Sequence, residues 1–220
     1  MKYIAIIPAR KGSKRIKNKN LLMIKNKKMF DYTLDAAKNC KKISKIIITT
    51  NIRKLLKRTT NKIFYIKRPE YLCKADSSTE SAIIHAINSL KKIFQNKKTN
   101  IILLQPTSPL RNSNDINKAI INFEKNKYNS LFSAYEKKFS FWKKKKKSLR
   151  PINYSLKKRK RGQNMKNALV ENGAIYIFNA TDFKILRNRL FKKIGVHLMS
   201  KRNSIEIDEK QDIKLAKAYM

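Results

Sequence analysis

Short apolar runs rich in isoleucine and leucine constrain the fold of this chain more than any other feature of its sequence. Residues 3–8 form the first run, which ends at Pro8, and residues 46–50, 62–66 and 100–104 form three more. A short apolar run without regular polar alternation is typical of a parallel strand that is buried on both faces. The sequence therefore predicts four strands of this kind in the first half of the chain.

Segments with a helical spacing of apolar residues lie between and after these runs. Strands that alternate with helices predict right-handed crossovers and a mainly parallel sheet with helices on both faces. Since no internal repeat and no Gly/Ser-rich linker divides the chain, we predict one α/β domain over residues 1–220. The predicted helices are residues 29–37, residues 81–94, a helix that starts at Asn114 or Asp115, residues 181–189 and a terminal helix from about Glu209, and a further strand is predicted at residues 174–178.

Residues 140–164 interrupt this alternation, because they are polar, basic and almost free of residues that could form a core. The segment is also long for a loop without structure of its own. We therefore predict an inserted arm or hairpin with approximate bounds 138–166. Its dense lysine run, residues 143–147, is usual for a solvated loop.

The chain is strongly basic, since 54 Lys and Arg against 14 Asp and Glu give a formal net charge of +40. Such a chain can bind nucleic acid by releasing counterions from phosphates. Here the excess is mainly lysine, is spread along the whole chain, and accompanies Ile and Asn, which share A- and T-rich codons with Lys. We therefore attribute the charge to composition bias first and expect no specific nucleic-acid partner.

The sequence also indicates where the protein acts. No segment has the roughly 20 apolar residues of a transmembrane helix. Residues 1–8 are too short, and too soon ended by proline, to be a signal peptide. Cys40 and Cys73 are too few for a disulfide framework or a zinc cluster. We expect a cytoplasmic protein without a membrane partner.

The loop after the first predicted strand is a candidate phosphate site, because ligands of open parallel sheets bind beyond the carboxyl ends of the strands. Residues 8–20 combine one glycine, one serine and six cationic residues. Gly12 allows a close backbone approach, and Lys and Arg can neutralise charge on phosphate oxygens. The spacing is not that of a P-loop, and a solvated basic loop would explain the same residues.

Two further segments carry polar groups suited to a nucleotide and to a metal. Gln105 follows the fourth run in the sequence Gln-Pro-Thr-Ser-Pro-Leu-Arg, where two prolines stiffen the loop and the amide can donate and accept at a base edge. Glu206 and Asp208 lie two positions apart, so an extended segment would place both carboxylates on one face. Hard divalent cations bind to oxygen ligands of this kind.

Taken together, these segments resemble one family, the acylneuraminate (sialic acid) cytidylyltransferases. The resemblance is carried by the basic loop that ends in Lys-Asn, by Gln-Pro-Thr-Ser-Pro-Leu-Arg, by Glu-Asn-Gly-Ala-Ile-Tyr and by Ser-Ile-Glu-Ile-Asp, in this order from Ile4 to the last helix. It implies a Rossmann-like nucleotidyltransferase fold and a homodimer in which each arm crosses to the partner. It also implies that CTP and a nonulosonic acid, a nine-carbon 2-keto sugar acid, react with Mg²⁺ to give the CMP-sugar and pyrophosphate.

The resemblance assigns roles residue by residue. The implied catalytic residues are Arg10, Lys19 and Asp208, and the implied Mg²⁺ ligands are Glu206 and Asp208. The implied nucleotide-binding residues are Arg10, Gly12, Ser13, Lys14, Lys19, Asn20, Arg68, Asp76, Thr79 and Gln105. The implied sugar-binding residues are Gln163, Asn172 and Tyr176.

The chain also departs from the family pattern. Glu206 replaces the usual first aspartate of the acid pair, Lys11-Gly12 replaces a glycine pair, and Val170-Glu171 stands where one subgroup has an arginine. Legionaminic acid or another 2-keto sugar acid is therefore an alternative substrate. Two other classes of protein stay open. One is a nucleic-acid-binding protein that uses the +40 charge, and Phe139, Phe141 and Trp142 beside the lysine run support it. The other is a feebly active remnant of the enzyme.

Overall fold

A computed structural model describes residues 2–13, 15–145, 148–157, 161, 164–165 and 167–220 of the chain. Its strands are β1 Lys2–Ala9, β2 Met23–Ile24, β3 Lys27–Lys28, β4 Ile43–Thr50, β5 Ile63–Lys67, β6 Thr99–Leu104, β7 Ser130–Lys137, β8 Trp142–Lys145, β9 Ser148–Pro151, β10 Ala168–Asn179 and β11 Ile194–Leu198. Its α-helices are α1 Met29–Lys38, α2 Thr79–Ser89, α3 Ser113–Lys125, α4 Ala180–Leu186 and α5 Lys210–Tyr219.

Seven of these strands form one sheet in the order β11-β7-β10-β6-β1-β4-β5. β10 runs antiparallel to β6 and β7, and the other neighbouring pairs are parallel. The predicted mainly parallel sheet is therefore confirmed. β1 and β6 lie side by side near its middle, so the loops that follow them, residues 10–20 and 105–111, emerge at the same edge of the sheet.

Both faces of the sheet are covered by helices, as predicted. Along β1, Tyr3, Ala5 and Ile7 pack into the core under α1 and α3, whereas Ile4 and Ile6 pack into the core under α2 and α4. Alternate side chains of a strand point to opposite faces, so a strand must be apolar throughout to fill both cores. This explains the continuous apolar runs of the sequence.

Several helix boundaries differ from the sequence-based prediction. α3 begins at Ser113, because the Asn112 side chain accepts from the backbone N of Asp115 and the Asp115 carboxylate accepts from the backbone N of Asn112. This reciprocal capping box satisfies donors that the first turn of a helix leaves free. The segment predicted as a helix over residues 81–94 consists of α2, which ends at Ser89, and a separate 3-10 helix over Lys91–Phe94. The helix predicted over residues 181–189 ends at Leu186.

Four strands were missed and one was underestimated. The short strands β2 and β3 were not predicted. In the main sheet, β7 and β11 also have no predicted counterpart, and β10 extends from Ala168 to Asn179 rather than over residues 174–178. The register of β10 with β7 shifts between Glu171 and Tyr176. Gly173 lies in this irregular stretch with φ +65°, a left-handed conformation that favours glycine.

The predicted arm contains a hairpin outside the main sheet. β8 pairs with β9 in antiparallel register, and Trp142, Leu149, Ile152 and Leu156 of this region are exposed. The hairpin therefore carries apolar side chains without a covering layer among the described residues. No helix in the described part of the chain is long and apolar enough to cross a membrane.

Candidate active site

A cavity of about 430 Å³ opens beyond the carboxyl ends of β1 and β6. Its lining combines basic side chains, serine and threonine hydroxyls, and the two carboxylates of the segment before α5. Its lining comprises Pro8, Arg10, Ser13, Arg15, Lys19, Asn20, Arg68, Ser77, Ser78, Thr79, Gln105, Pro106, Thr107, Glu206 and Asp208. The position agrees with the general rule for ligand sites in open α/β sheets.

The loop after β1 is held in place by side chains around it. Arg10 donates to the carbonyl oxygens of Cys73 and Lys74, and the Asn20 amide donates to the Arg10 carbonyl over 2.9 Å. Gly12 adopts φ +87°, and a Cβ placed there would have no atom within 4 Å. This glycine is therefore required by backbone conformation and not by crowding.

A buried arginine forms part of the cavity lining. Arg68 is 4% exposed, and its guanidinium donates to the hydroxyl and the carbonyl oxygen of Thr49 over 3.2 and 2.7 Å. Burial lowers its pKa from the ordinary value. Thr79 begins α2, and Ser78 caps this helix by accepting from the backbone N of Ser81. The cavity therefore receives a positive charge and the N-terminus of a helix, both of which favour an anion.

The acid pair is positioned by the fully buried residue between its members. Ile207 packs against Ile16, Ile24 and Met29 in a small core, and its backbone N donates to the Thr107 carbonyl over 2.7 Å. With Ile207 turned inward, Glu206 and Asp208 both face the cavity, although residues 205–208 form no strand.

The two carboxylates have different surroundings. Glu206 accepts from the Thr107 hydroxyl over 3.0 Å; burial first, and then the nearby negative charge of Asp208, raise its pKa above the ordinary value. Asp208 accepts from Lys19 over 2.8 Å and pairs with Arg15 over 3.0 Å. Burial alone would raise the pKa of Asp208, but Lys19 and then Arg15 hold it below its usual range.

Gln105 and the β10 irregularity meet beside Glu206. A Cβ on Gly173 would lie 3.4 Å from Glu206 Oε1 and 3.7 Å from Gln105 Nε2. Arg111 connects the two backbones, because its Nη1 donates to the carbonyls of Gln105 and Ala174 over 3.0 Å each. Complete burial lowers the pKa of Arg111 to about 9.

The structure brings most of the predicted nucleotide residues together, with several exceptions. Gly12 and Asp76 are exposed and do not line the cavity. Lys14 and Gln163 lie outside the described residues. Asn172 and Tyr176 do not line this cavity, but Asn172 lines a neighbouring cavity that shares Glu206 with it.

Asn172 and Tyr176 are engaged in contacts of their own. The Asn172 side chain accepts from Ser133 over 2.6 Å and donates to Ser204 over 2.8 Å. The Tyr176 hydroxyl donates to Glu171, and the guanidinium of Arg189 lies 4.8 Å from the centre of the Tyr176 ring. Both residues therefore organise β10 and its neighbours.

A second cavity of about 420 Å³ adjoins the first, since Glu206 lines both. Its charged groups are mixed, with two lysines and three carboxylates. The lining comprises Tyr135, Lys137, Val170, Glu171, Asn172, Lys201, Ser204, Ile205, Glu206, Asp212 and Leu215.

Sequence reasoning missed three kinds of site residue. Arg15 lies in the basic loop that was singled out, but nothing local distinguishes it from its cationic neighbours. Thr107 lies in the Gln-Pro-Thr segment, where its hydroxyl could have been considered as a partner for an acid. Ser77 and Ser78 precede an apolar-periodic segment, and that position is typical of helix caps.

The sequence of the chain matches a known family over nearly its full length. Residues 4–219 match the family described as Cytidylyltransferase, and the chain belongs to this family. Its fold and the cavity beyond β1 and β6 agree with that membership.

Two individual members of known function match nearly the whole of this chain. The N-acylneuraminate cytidylyltransferase of Escherichia coli is 31% identical over 225 residues, which cover 98% of this chain and 51% of the relative. The chain thus spans about half the length of that protein. The pseudaminic acid cytidylyltransferase of Campylobacter jejuni strain 81-176 is 26% identical, with 99% of this chain and 95% of the relative covered.

Solved structures support the fold. The 2-C-methyl-D-erythritol 4-phosphate cytidylyltransferase of Francisella tularensis superposes with a TM-score of 0.69 at 16% identity, with 100% of both chains covered. At this identity the likeness concerns the fold alone.

Proposed function

We propose that the chain is a nucleotidyltransferase that joins CMP from CTP to the anomeric hydroxyl of a nonulosonic acid and releases pyrophosphate. The observation that carries this proposal is a cavity lined by both basic side chains and an acid pair, in a member of the cytidylyltransferase family. A triphosphate needs neutralising cations, and an acid pair can hold the divalent ion that accompanies it. We propose the cytoplasm, where CTP is available, as the compartment.

The cations of the β1 loop would bind and orient the triphosphate. Arg10 and Lys19 line the cavity together with the hydroxyl of Ser13. The sugar hydroxyl oxygen forms a bond to the α-phosphorus, the bond from that phosphorus to the bridging oxygen breaks, and the hydroxyl proton is released to water. Since phosphoryl transfer depends on alignment and on charge stabilisation, the chain mainly has to hold two anions in line.

The acid pair fits a Mg²⁺ ion. Two carboxylates face one cavity, and burial first, then the nearby charge of Asp208, raise the pKa of Glu206. A cation would relieve the repulsion between the two carboxylates. No group of three or more metal-binding side chains exists among the described residues. Two carboxylates nevertheless suit Mg²⁺, which commonly takes one or two together with waters and phosphate oxygens. Bound there by Glu206 and Asp208, it would stabilise charge on the phosphates.

The second cavity is the proposed place of the sugar acid. It adjoins the nucleotide cavity at Glu206, and Lys137 and Lys201 supply positive charge for a carboxylate. The names of the relatives include N-acylneuraminate and pseudaminic acid, and Val170-Glu171 departs from the sialic acid pattern. Legionaminic or another 2-keto sugar acid is therefore the alternative substrate.

We also propose that the chain forms a homodimer through its arm and has no specific nucleic-acid partner. The exposed side chains of Trp142, Leu149, Ile152 and Leu156 support an interface, because large apolar groups clustered on a surface mark sites of association. Mass in solution at about 0.15 M salt tests this, where charge screening is strong. A monomer that binds RNA tightly under these conditions would favour the nucleic-acid alternative.

Pyrophosphate release tests the function directly. The full chain is incubated with Mg²⁺, one of the four nucleoside triphosphates and a panel of sialic, legionaminic, pseudaminic and octulosonic acids. We expect release with CTP and one nine-carbon acid. Equal rates with ATP, GTP and UTP, or no release with any acid, would contradict the proposal.

A further inference from the structure

Both oxygens of the Asp208 carboxylate are engaged by basic side chains. Lys19 Nζ lies 2.8 Å from Oδ1, and Arg15 Nη1 lies 3.0 Å from Oδ2. A divalent cation at Asp208 would meet two positive charges within a few ångströms. At least one of these contacts must therefore weaken when a metal ion binds.

The two basic side chains are not equally free to move. Lys19 is 13% exposed in its side chain and donates a second hydrogen bond to the Ile207 carbonyl over 2.8 Å. The Arg15 side chain is 62% exposed, and among the described residues its ion pair with Asp208 is the polar contact that holds it. Arg15 is therefore the group that can leave at little cost.

A destination for Arg15 exists in the same cavity. Arg15 lines it together with Arg10, Ser13 and Lys19, the groups that the proposed function assigns to the triphosphate. A guanidinium binds phosphate oxygens in the same forked geometry in which it binds a carboxylate. One side chain can thus serve either anion.

We propose that Arg15 exchanges between two anions: it pairs with Asp208 until a divalent cation takes that carboxylate, and it then binds the phosphates of the nucleoside triphosphate. This inference rests on the proposed function, because it needs both a cation at the acid pair and a triphosphate in the cavity. Arg15 then couples the two ligands. Each raises the affinity for the other, since a coupling free energy acts equally in both directions.

The test uses Arg15→Gln, with Lys17→Gln as the matched control. Lys17 is an exposed lysine of the same loop without an ion pair among the described residues, so its replacement removes the same unit of charge without touching Asp208. Mn²⁺ affinity is measured by calorimetry without nucleotide, and CTP affinity is measured at saturating Mn²⁺ without a sugar acid. Both variants should keep the wild-type melting temperature, because both side chains are exposed.

We expect Arg15→Gln to bind Mn²⁺ about two- to fivefold more tightly than Lys17→Gln, as suits the loss of an exposed ion pair. It should bind CTP several-fold more weakly than the control. The opposite signs distinguish exchange from a purely structural role, which would lower both affinities.

Two results would overturn the exchange. One is an unchanged or lower Mn²⁺ affinity relative to Lys17→Gln, and the other is an unchanged CTP affinity. Failure of the proposed function itself is recognised separately, because the wild-type chain would then bind no CTP at saturating Mn²⁺.

Discussion

Replacing Gly173, which lies next to the acid pair, with alanine would have two separable effects, backbone strain and crowding of Glu206. Gly173 has φ +65°, and an added Cβ would lie 3.4 and 3.5 Å from the two oxygens of Glu206. These are ordinary van der Waals distances, so the methyl group fits, but it places an apolar group against a carboxylate. The backbone strain should cost about 1–2 kcal/mol of stability, as for other non-glycine residues in this region.

The chain offers a control for the strain alone. Gly12 also has a positive φ, +87°, but a Cβ there would have no neighbour within 4 Å. Gly12→Ala should therefore lose a similar free energy of unfolding, measured by urea denaturation, without affecting Glu206.

Metal binding then distinguishes the two variants. An alanine at position 173 takes space beside Glu206, and we expect the Mn²⁺ affinity to fall by about tenfold, as for other changes to groups that surround metal ligands. Gly12→Ala should retain the wild-type affinity. If Gly173→Ala also retained it, the claim that this glycine makes room for a metal at Glu206 would be wrong.

Three other predictions concern the acid pair and the core. Asp208→Asn should lower the rate of pyrophosphate release by about a hundredfold while leaving the melting temperature near that of the wild type, because a neutral amide is a poor Mg²⁺ ligand; a near wild-type rate would exclude Asp208 from the metal site. Mn²⁺ affinity should be lost as pH falls through the pKa of Glu206, which burial raises, so the loss should begin at a higher pH than for an ordinary glutamate, and titrations from pH 8 to pH 4 check the midpoint. Gly195→Ala should destabilise the protein by about 1–3 kcal/mol or more, because a Cβ there would lie 2.2 Å from the Tyr128 ring; an unchanged urea midpoint would contradict that contact.

The missed strand β7 shows why a local pattern of apolar residues can fail to predict a strand. β7 contains Ser130 and Ser133, which interrupt an apolar pattern, yet both are buried. Ser130 donates to the Phe191 carbonyl over 2.8 Å, and Ser133 donates to Asn172. A buried hydroxyl is tolerated when it has a partner, and these partners lie 61 and 39 residues away. No reading of nearby residues could have found them.

The start of α3 is a related case. Asn114 and Asp115 were the candidate first residues, whereas Asn112 is the cap and Asp115 is its reciprocal partner. Asn and Asp both favour the start of a helix, so residue type alone does not decide which of these positions is the cap. The hydrogen bonds of the folded first turn decide between them.

The sequence by itself determined the buried strands β1, β4 and β6, because apolar runs are local and can be satisfied only between two layers of helices. It also determined which loops carry the chemical groups. Only the tertiary structure decided how those groups pair, since Lys19 and Asp208 are 189 residues apart. Their surroundings in the folded chain make Glu206 and Asp208 unequal. Burial raises the pKa of Glu206, whereas the cations Lys19 and Arg15 of the first loop hold the pKa of Asp208 low. Electrostatic environment depends on distance in space, and a linear pattern of residues does not contain it.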